Sequence, residues 1–310
     1  MPTSAPGPGA VEPVAISESA SEGAEPAASS GPAFETSDPG ASEFAPNVAP
    51  GSLTWKEAVE VEAATLEAAY PEADIRIMVL DSSGSDMLAD HGDVDRRSPI
   101  GDTTKPVAIY AALGEGLDPA MTFDTSKPVV LDGLEVRDER SSGVLTLSQA
   151  IAGSSNVAVA QVLEMVPWKA VYARVAYFLP IPESGRETLQ EVAGQLIGFT
   201  CEVPLRDLGR AYARMVAEPD SAAIVDVLRL AVGPDATGAR AAVPGLDVLG
   251  KTGTAGDPGN RIAVFIGRVS DGETTAWIGV SVGGAGKGED GGSVAAPAFA
   301  RIARAVLGGS

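Results

Sequence analysis

A chain of 310 residues, 45% hydrophobic and 21% charged, holds enough apolar material for a sizeable core. Its 42 acidic and 22 basic residues give a net charge of -20, which argues against binding nucleic-acid backbone or anionic lipid, since both need clustered lysine and arginine. The only cysteine, Cys201, excludes an internal disulfide and a cysteine-based metal site, and the only histidine, His91, could serve one Ser-His-Asp arrangement at most.

Cys201 is therefore expected as a small core residue and His91 in a solvated loop. Chemistry in this chain must rest on lysine, hydroxyl and carboxylate side chains, with no metal and no cofactor implied. No run approaches the roughly 20 apolar residues of a membrane span. The start, Met1 to Gly7, has neither a basic nor an apolar leader region. As written the chain reads as cytoplasmic, and as extracytoplasmic if its N-terminus is not the native one.

Residues 1–51 are dominated by Ala, Pro, Ser and Gly, with seven acidic residues and no basic one. Such a segment cannot repay the entropy of ordering, so a disordered acidic tail is expected, followed by one domain over 52–310. Ser52 or Thr54 should cap a helix from Trp55 to about Tyr70, stopped by Pro71. Asp74 to Leu80 reads as a strand covered on one face, turning at Asp81–Gly84 into a second strand near Met87–Ala89. A buried helix follows from about Asp102 to Leu113, closed by Gly114 and Gly116. A less regular stretch carries Val129–Leu131 and Leu134–Val136. Leu145–Gly153 makes a short helix, broken at Ser154-Ser155-Asn156. Helices are then expected over Val157–Val166, Trp168–Phe178, Leu205–Val216 and Ala222–Leu230. Three strands, Leu246–Thr254, Ile262–Val269 and Thr275–Val282, are joined by short turns, and a last helix runs from about Val294 to Leu307. Strands at both ends around a helical middle predict an α+β domain. Its antiparallel sheet is built from N- and C-terminal strands and packed with helices, beside a mainly helical subdomain.

Three short motifs carry the chemistry. Asp102-Thr-Thr-Lys105 opens a helix, Ser154-Ser155-Asn156 sits between two helices, and Lys251-Thr252-Gly253-Thr254 lies on a strand. Their order and spacing resemble the S-x-x-K, S-x-N and K-T-G signatures of penicillin-binding protein transpeptidase domains and serine β-lactamases. Thr122–Asp124, Thr146–Ala158, Gly198–Thr200, Pro204–Tyr212 and Gly292–Phe299 extend the resemblance over roughly residues 55–308. It implies a β-lactamase/transpeptidase-like fold with Lys105, Ser154, Asn156 and Lys251 in catalytic positions and Thr252, Gly253 and Thr254 at the substrate. In that family the Ser-x-Asn serine relays protons, the asparagine holds the substrate amide and the Lys-Thr-Gly strand meets the substrate carboxylate. Two backbone N–H groups, one at the nucleophile and one after the Lys-Thr-Gly triplet, form its oxyanion hole.

Asp102 departs from the pattern, because it stands at the nucleophile position where the family has serine. A carboxylate attacking an amide would give a mixed anhydride, more reactive than the amide it replaced. Neither Thr103, turned about 100° around the helix, nor Ser98, before Pro99, can substitute. Asp102 also suits a helix N-cap and an i,i+3 ion pair with Lys105, and its carboxylate is expected to occupy the oxyanion-hole region. Two readings follow. The first is an inactive transpeptidase-like domain kept for binding or scaffolding, with a peptidoglycan stem peptide or a β-lactam as a non-covalent ligand. The second is an active D,D-transpeptidase or carboxypeptidase whose serine has been exchanged for Asp102 by an introduced substitution. Gly245–Thr252 also matches the phosphate-binding G-x-x-x-x-G-K-[ST] letter for letter, but what surrounds it is strand-like and no helix is expected to follow.

Overall fold

The computed structural model describes residues 48–139, 142–182 and 187–309. The tail expected over 1–51 lies outside the described residues except for its last four. Of these, Gly51 donates its N–H to the carbonyl of Arg304 at 3.1 Å, so the folded part begins slightly earlier than expected.

The first helix, α1 (Trp55–Ala69), opens with a capping box between Thr54 and Glu57. Strands β1 (Asp74–Asp81), β2 (Met87–His91) and the short β3 (Arg97–Pro99) lead to a 3₁₀ turn at Gly101–Thr104 and helix α2 (Lys105–Gly114). The middle of the chain holds β4 (Thr122–Asp124), the hairpin β5 (Val129–Leu131) and β6 (Leu134–Val136), and β7 (Val144–Thr146). Helices α3 (Leu147–Ala152), α4 (Asn156–Met165), α5 (Trp168–Phe178) and α6 (Leu189–Ile197) follow. Next come β8 (Glu202–Pro204), α7 (Leu205–Ala217) and α8 (Ala222–Leu230). Strands β9 (Asp247–Asp257), β10 (Asn260–Ser270) and β11 (Thr275–Ala285) precede a π-turn at Gly291–Ala295 and helix α9 (Ala296–Leu307).

The main sheet has the order β2-β1-β11-β10-β9, antiparallel throughout. The N-terminal β1 pairs with the C-terminal β11 from Asp74 opposite Gly283 to Asp81 opposite Ala276, which closes the domain on itself. The α+β architecture is thus the one expected. One detail differs. β1 is buried on both faces: Ile77 and Val79 pack with α1 and α9, while Met78 and Leu80 join the core of the helical subdomain. A strand between two cores needs apolar residues at consecutive positions, which is why its sequence stops alternating. His91, expected in a solvated loop, ends β2 and faces Glu67 at 3.2 Å. Cys201 is buried as expected, and burial pushes its thiol up to about 12.

The phosphate-loop reading fails here, because Gly245–Thr252 runs into strand β9 and on to a hairpin rather than into a helix. Among the described residues no helix is long and apolar enough to cross a membrane.

Helices α1 and α9 are tied by Arg301, which donates to both oxygens of the buried Glu62 at 2.8 and 2.6 Å. Burial raises the Glu62 carboxyl above its ordinary value, and Arg301 opposes that shift. Arg301→Met should lower stability by about 2 kcal/mol, because it strands a carboxylate that must then be protonated or wetted. Urea unfolding of the two proteins at neutral pH checks this, and equal midpoints would refute it.

Candidate functional site

The site is built where the 3₁₀ turn before α2 meets the edge strand β9. Gly101 is required at that contact. Its φ is 54°, and a Cβ there would lie 2.5 Å from the carbonyl oxygen of Thr254. The turn is held from several sides. Thr103 donates to the carbonyl of Ile100 at 2.8 Å, Thr104 to that of Leu196 at 3.1 Å, and Tyr212 of α7 to that of Thr103 at 2.7 Å. Thr103 is fully buried by these contacts, so its hydroxyl is not an alternative nucleophile. Burial holds the Tyr212 phenol well above its usual range, and the charge of Asp102 adds to the effect.

Asp102 is not the N-cap that its residue type suggested. It lies inside the 3₁₀ turn, α2 starts only at Lys105, and no side chain caps that helix. The carboxylate turns instead to Lys105 Nζ, 2.6 Å away. Lys105 is completely buried, and its ammonium also donates to the Ser154 carbonyl and to Asn156 Oδ1, each at 2.5 Å.

Ser154 adopts φ 64°, a left-handed conformation that costs a non-glycine residue about 1 kcal/mol. The helix α4 that follows is capped by Ser155, whose Oγ accepts from the Ala158 N–H at 3.0 Å. Capping by Ser155 leaves the Ser154 hydroxyl available, and Lys251 Nζ donates to it. Lys251 is also fully buried, with the Thr252 carbonyl as a second acceptor at 3.1 Å. Burial pushes its amine from 10.5 down to about 8; the Asp102 charge opposes this shift and the Lys105 charge reinforces it.

The Thr252 hydroxyl shares a hydrogen bond with Thr237 at 2.7 Å, and Thr254 Oγ1 accepts from the Gly291 N–H at 3.2 Å. Gly253 is packed against the turn, where a Cβ would meet the Ile100 carbonyl oxygen at 2.3 Å. The structure thus brings all the singled-out residues together: Asp102, Lys105, Ser154, Asn156 and Lys251 through hydrogen bonds, and Thr252, Gly253 and Thr254 along the adjoining edge of β9.

Sequence reasoning missed four supporting residues. Tyr212 holds the turn, Thr237 pairs with Thr252, Gly291 meets Thr254, and Asp138 binds the Ser155–Val157 backbone and hydroxyl. Asp138 left no distinctive local signal, since it stands just after strand β6 among Glu135, Arg137 and Glu139. The others are specified by contacts far along the chain. Among the described residues no cluster of histidine, cysteine and carboxylate side chains could hold a metal ion.

Residues 212–304 match the model of the penicillin binding protein transpeptidase domain. A peptidoglycan glycosyltransferase from Burkholderia ambifaria superposes with a TM-score of 0.70 at 22% identity, covering 81% of this chain and 95% of its own. The transpeptidase domain of penicillin-binding protein 3 from Burkholderia pseudomallei, in its apo form, gives 0.70 at 22% identity, with 82% and 95% covered. No curated protein matches the chain. The chain therefore has the fold of penicillin-binding protein transpeptidase domains, and its last third matches the model of that family.

Proposed function

We propose that this chain is a transpeptidase-like domain that performs no acyl transfer and serves as a binding or scaffolding module, with Asp102 standing where the acylated serine would be. The observation that carries this reading is the saturation of Lys105. A lysine acting as base needs a free lone pair, but this ammonium spends its donors on Asp102, Asn156 and Ser154. The side chain that would attack and the side chain that would deprotonate it are instead locked to each other.

The groove keeps the means to hold a ligand. With Asp102 paired to Lys105, the buried Lys251 meets only neutral acceptors, Ser154 Oγ and the Thr252 carbonyl. A buried ammonium hydrogen-bonded only to neutral groups favours an anionic ligand, such as the carboxylate of a peptidoglycan stem peptide or of a β-lactam. The same contact between Lys251 and Ser154 supports the second reading, an acyl-transfer site that a serine would restore. A fluorescent penicillin tests both: the native chain should stay unlabelled, and labelling confined to Asp102→Ser would show that the remaining groups are still poised.

A further inference from the structure

Asp138 has no part in the chemistry outlined above, yet it is the most heavily used carboxylate near the site. It follows strand β6, and its two oxygens accept three hydrogen bonds from one short turn. Oδ2 takes the Ser155 hydroxyl at 2.6 Å, while Oδ1 takes the backbone N–H of Asn156 at 2.5 Å and of Val157 at 3.0 Å. The preceding residue completes the grip, because the Arg137 carbonyl accepts from Asn156 Nδ2 at 3.0 Å. That bond fixes which end of the Asn156 amide faces inward, and so presents Oδ1 to Lys105.

These contacts are local, but their consequence reaches both lysines. Ser154 receives Lys105 on its carbonyl and Lys251 on its hydroxyl, and it does so in a left-handed conformation. Such a conformation persists only when its surroundings impose it. On one side the turn is tied back to α3, with the Ser154 N–H on the Ile151 carbonyl and the Ser155 N–H on that of Ala150. On the other side the tie is Asp138. Helix α4 has no acidic residue in its own first turn, so Asp138 also supplies the negative charge that its N-terminus favours.

We infer that Asp138 is the positioning residue of the site, holding the Ser154–Asn156 turn in register with Lys105 and Lys251 without itself touching a ligand. This deepens the proposed function and rests on it only where ligand is used as a readout. Substituting Asp138→Asn keeps the size but removes the charge facing the α4 N-terminus, and its amide can hold the Ser155 hydroxyl only by donating to it, so the charge-assisted grip on the turn is weakened.

Two measurements test the role. In the ligand-free protein, carbon-13-labelled lysine followed by NMR should show the Lys251 amine titrating near 8, and in Asp138→Asn displaced towards 10.5, because a loosened turn admits water to it. In an Asp102→Ser background, labelling by fluorescent penicillin should slow by at least about tenfold on adding Asp138→Asn, as expected when reacting groups are misplaced. A residue that merely stabilises the fold would lower the melting temperature and leave both readouts unchanged, and that result would overturn the inference. Should Asp138→Asn fail to fold, Ser155→Ala removes one of the three bonds together with the cap of α4 and must move both readouts the same way. If Asp102→Ser does not label at all, the reading of a poised site fails, while the Lys251 titration still decides the role of Asp138.

Discussion

Replacing Asp102 by serine should switch on covalent labelling by a fluorescent penicillin. The difference in rate from the native chain should be on the order of 10⁶, the scale of removing a nucleophile from a serine acyl-transfer unit. The geometry gives the reason. Residue 102 lies three positions before Lys105 on the turn that opens α2, and its side chain already reaches the amine. A serine there would place its hydroxyl beside Lys105 and remove the carboxylate, leaving the Ser154 carbonyl and Asn156 Oδ1 as the remaining acceptors. The lysine then has an alcohol to deprotonate instead of a charge to neutralise.

Substituting Asp102→Asn separates the two effects. It removes the charge without supplying an attacking oxygen, so it should remain unlabelled while a β-lactam still raises its melting temperature. Labelling of the native chain would end the proposal of a silent site. If neither the native chain nor Asp102→Ser is labelled, the idea that the other groups remain poised fails as well. Intact mass after brief exposure reads each outcome directly, since an acyl-enzyme adds the whole mass of the drug.

Much of this site was legible because its residues sit in short motifs whose order survives in sequence. The helices and strands that carry them follow periodicity and capping: Thr54 with Glu57 opens α1, and the three apolar runs after Leu246 become β9, β10 and β11. What escaped had separate physical causes. Asp102 looked like a helix cap by residue type, but capping was lost to a buried ammonium three residues on. β1 looked one-sided because Arg76 interrupts its apolar run, yet that arginine is itself buried and paired with Asp74. Helix α6 was omitted although the sequence marks it: Thr188 and Glu191 form a capping box, and Leu189, Val192, Ala193, Leu196 and Ile197 fall on one helical face. Thr237 and Gly291 reach the Lys-Thr-Gly strand only through folding, which no local pattern records.

The second large effect concerns Lys251 and runs opposite to the habit of most lysines. A lysine that gains a carboxylate partner has its folded pKa raised. Here burial outweighs the charge of Asp102 and lowers the amine to about 8 from 10.5. Below pH 8 both the folded and unfolded chains hold the proton, and the folded state bears the cost of a buried ammonium. Between about 8 and 10.5 the folded state releases a proton that the unfolded chain retains, so stability rises with pH across that window. At about 1.4 kcal/mol per unit, the full shift amounts to about 3.5 kcal/mol. Urea unfolding of the native protein and of Lys251→Met at pH 7 and pH 10 isolates it, since the variant lacks the titrating group. The native protein should gain about 2.5 kcal/mol relative to the variant over that interval, which stops half a unit short of the unfolded value. Ligand affinity should move the other way, because a neutral amine no longer attracts the carboxylate of a non-covalently held β-lactam or stem peptide. The thermal shift produced by such a ligand should therefore shrink as the pH rises through 8. Parallel stability profiles for the two proteins would show that Lys251 is not titrating as a buried amine. A thermal shift that grows with pH would remove Lys251 as the anchor for the ligand carboxylate.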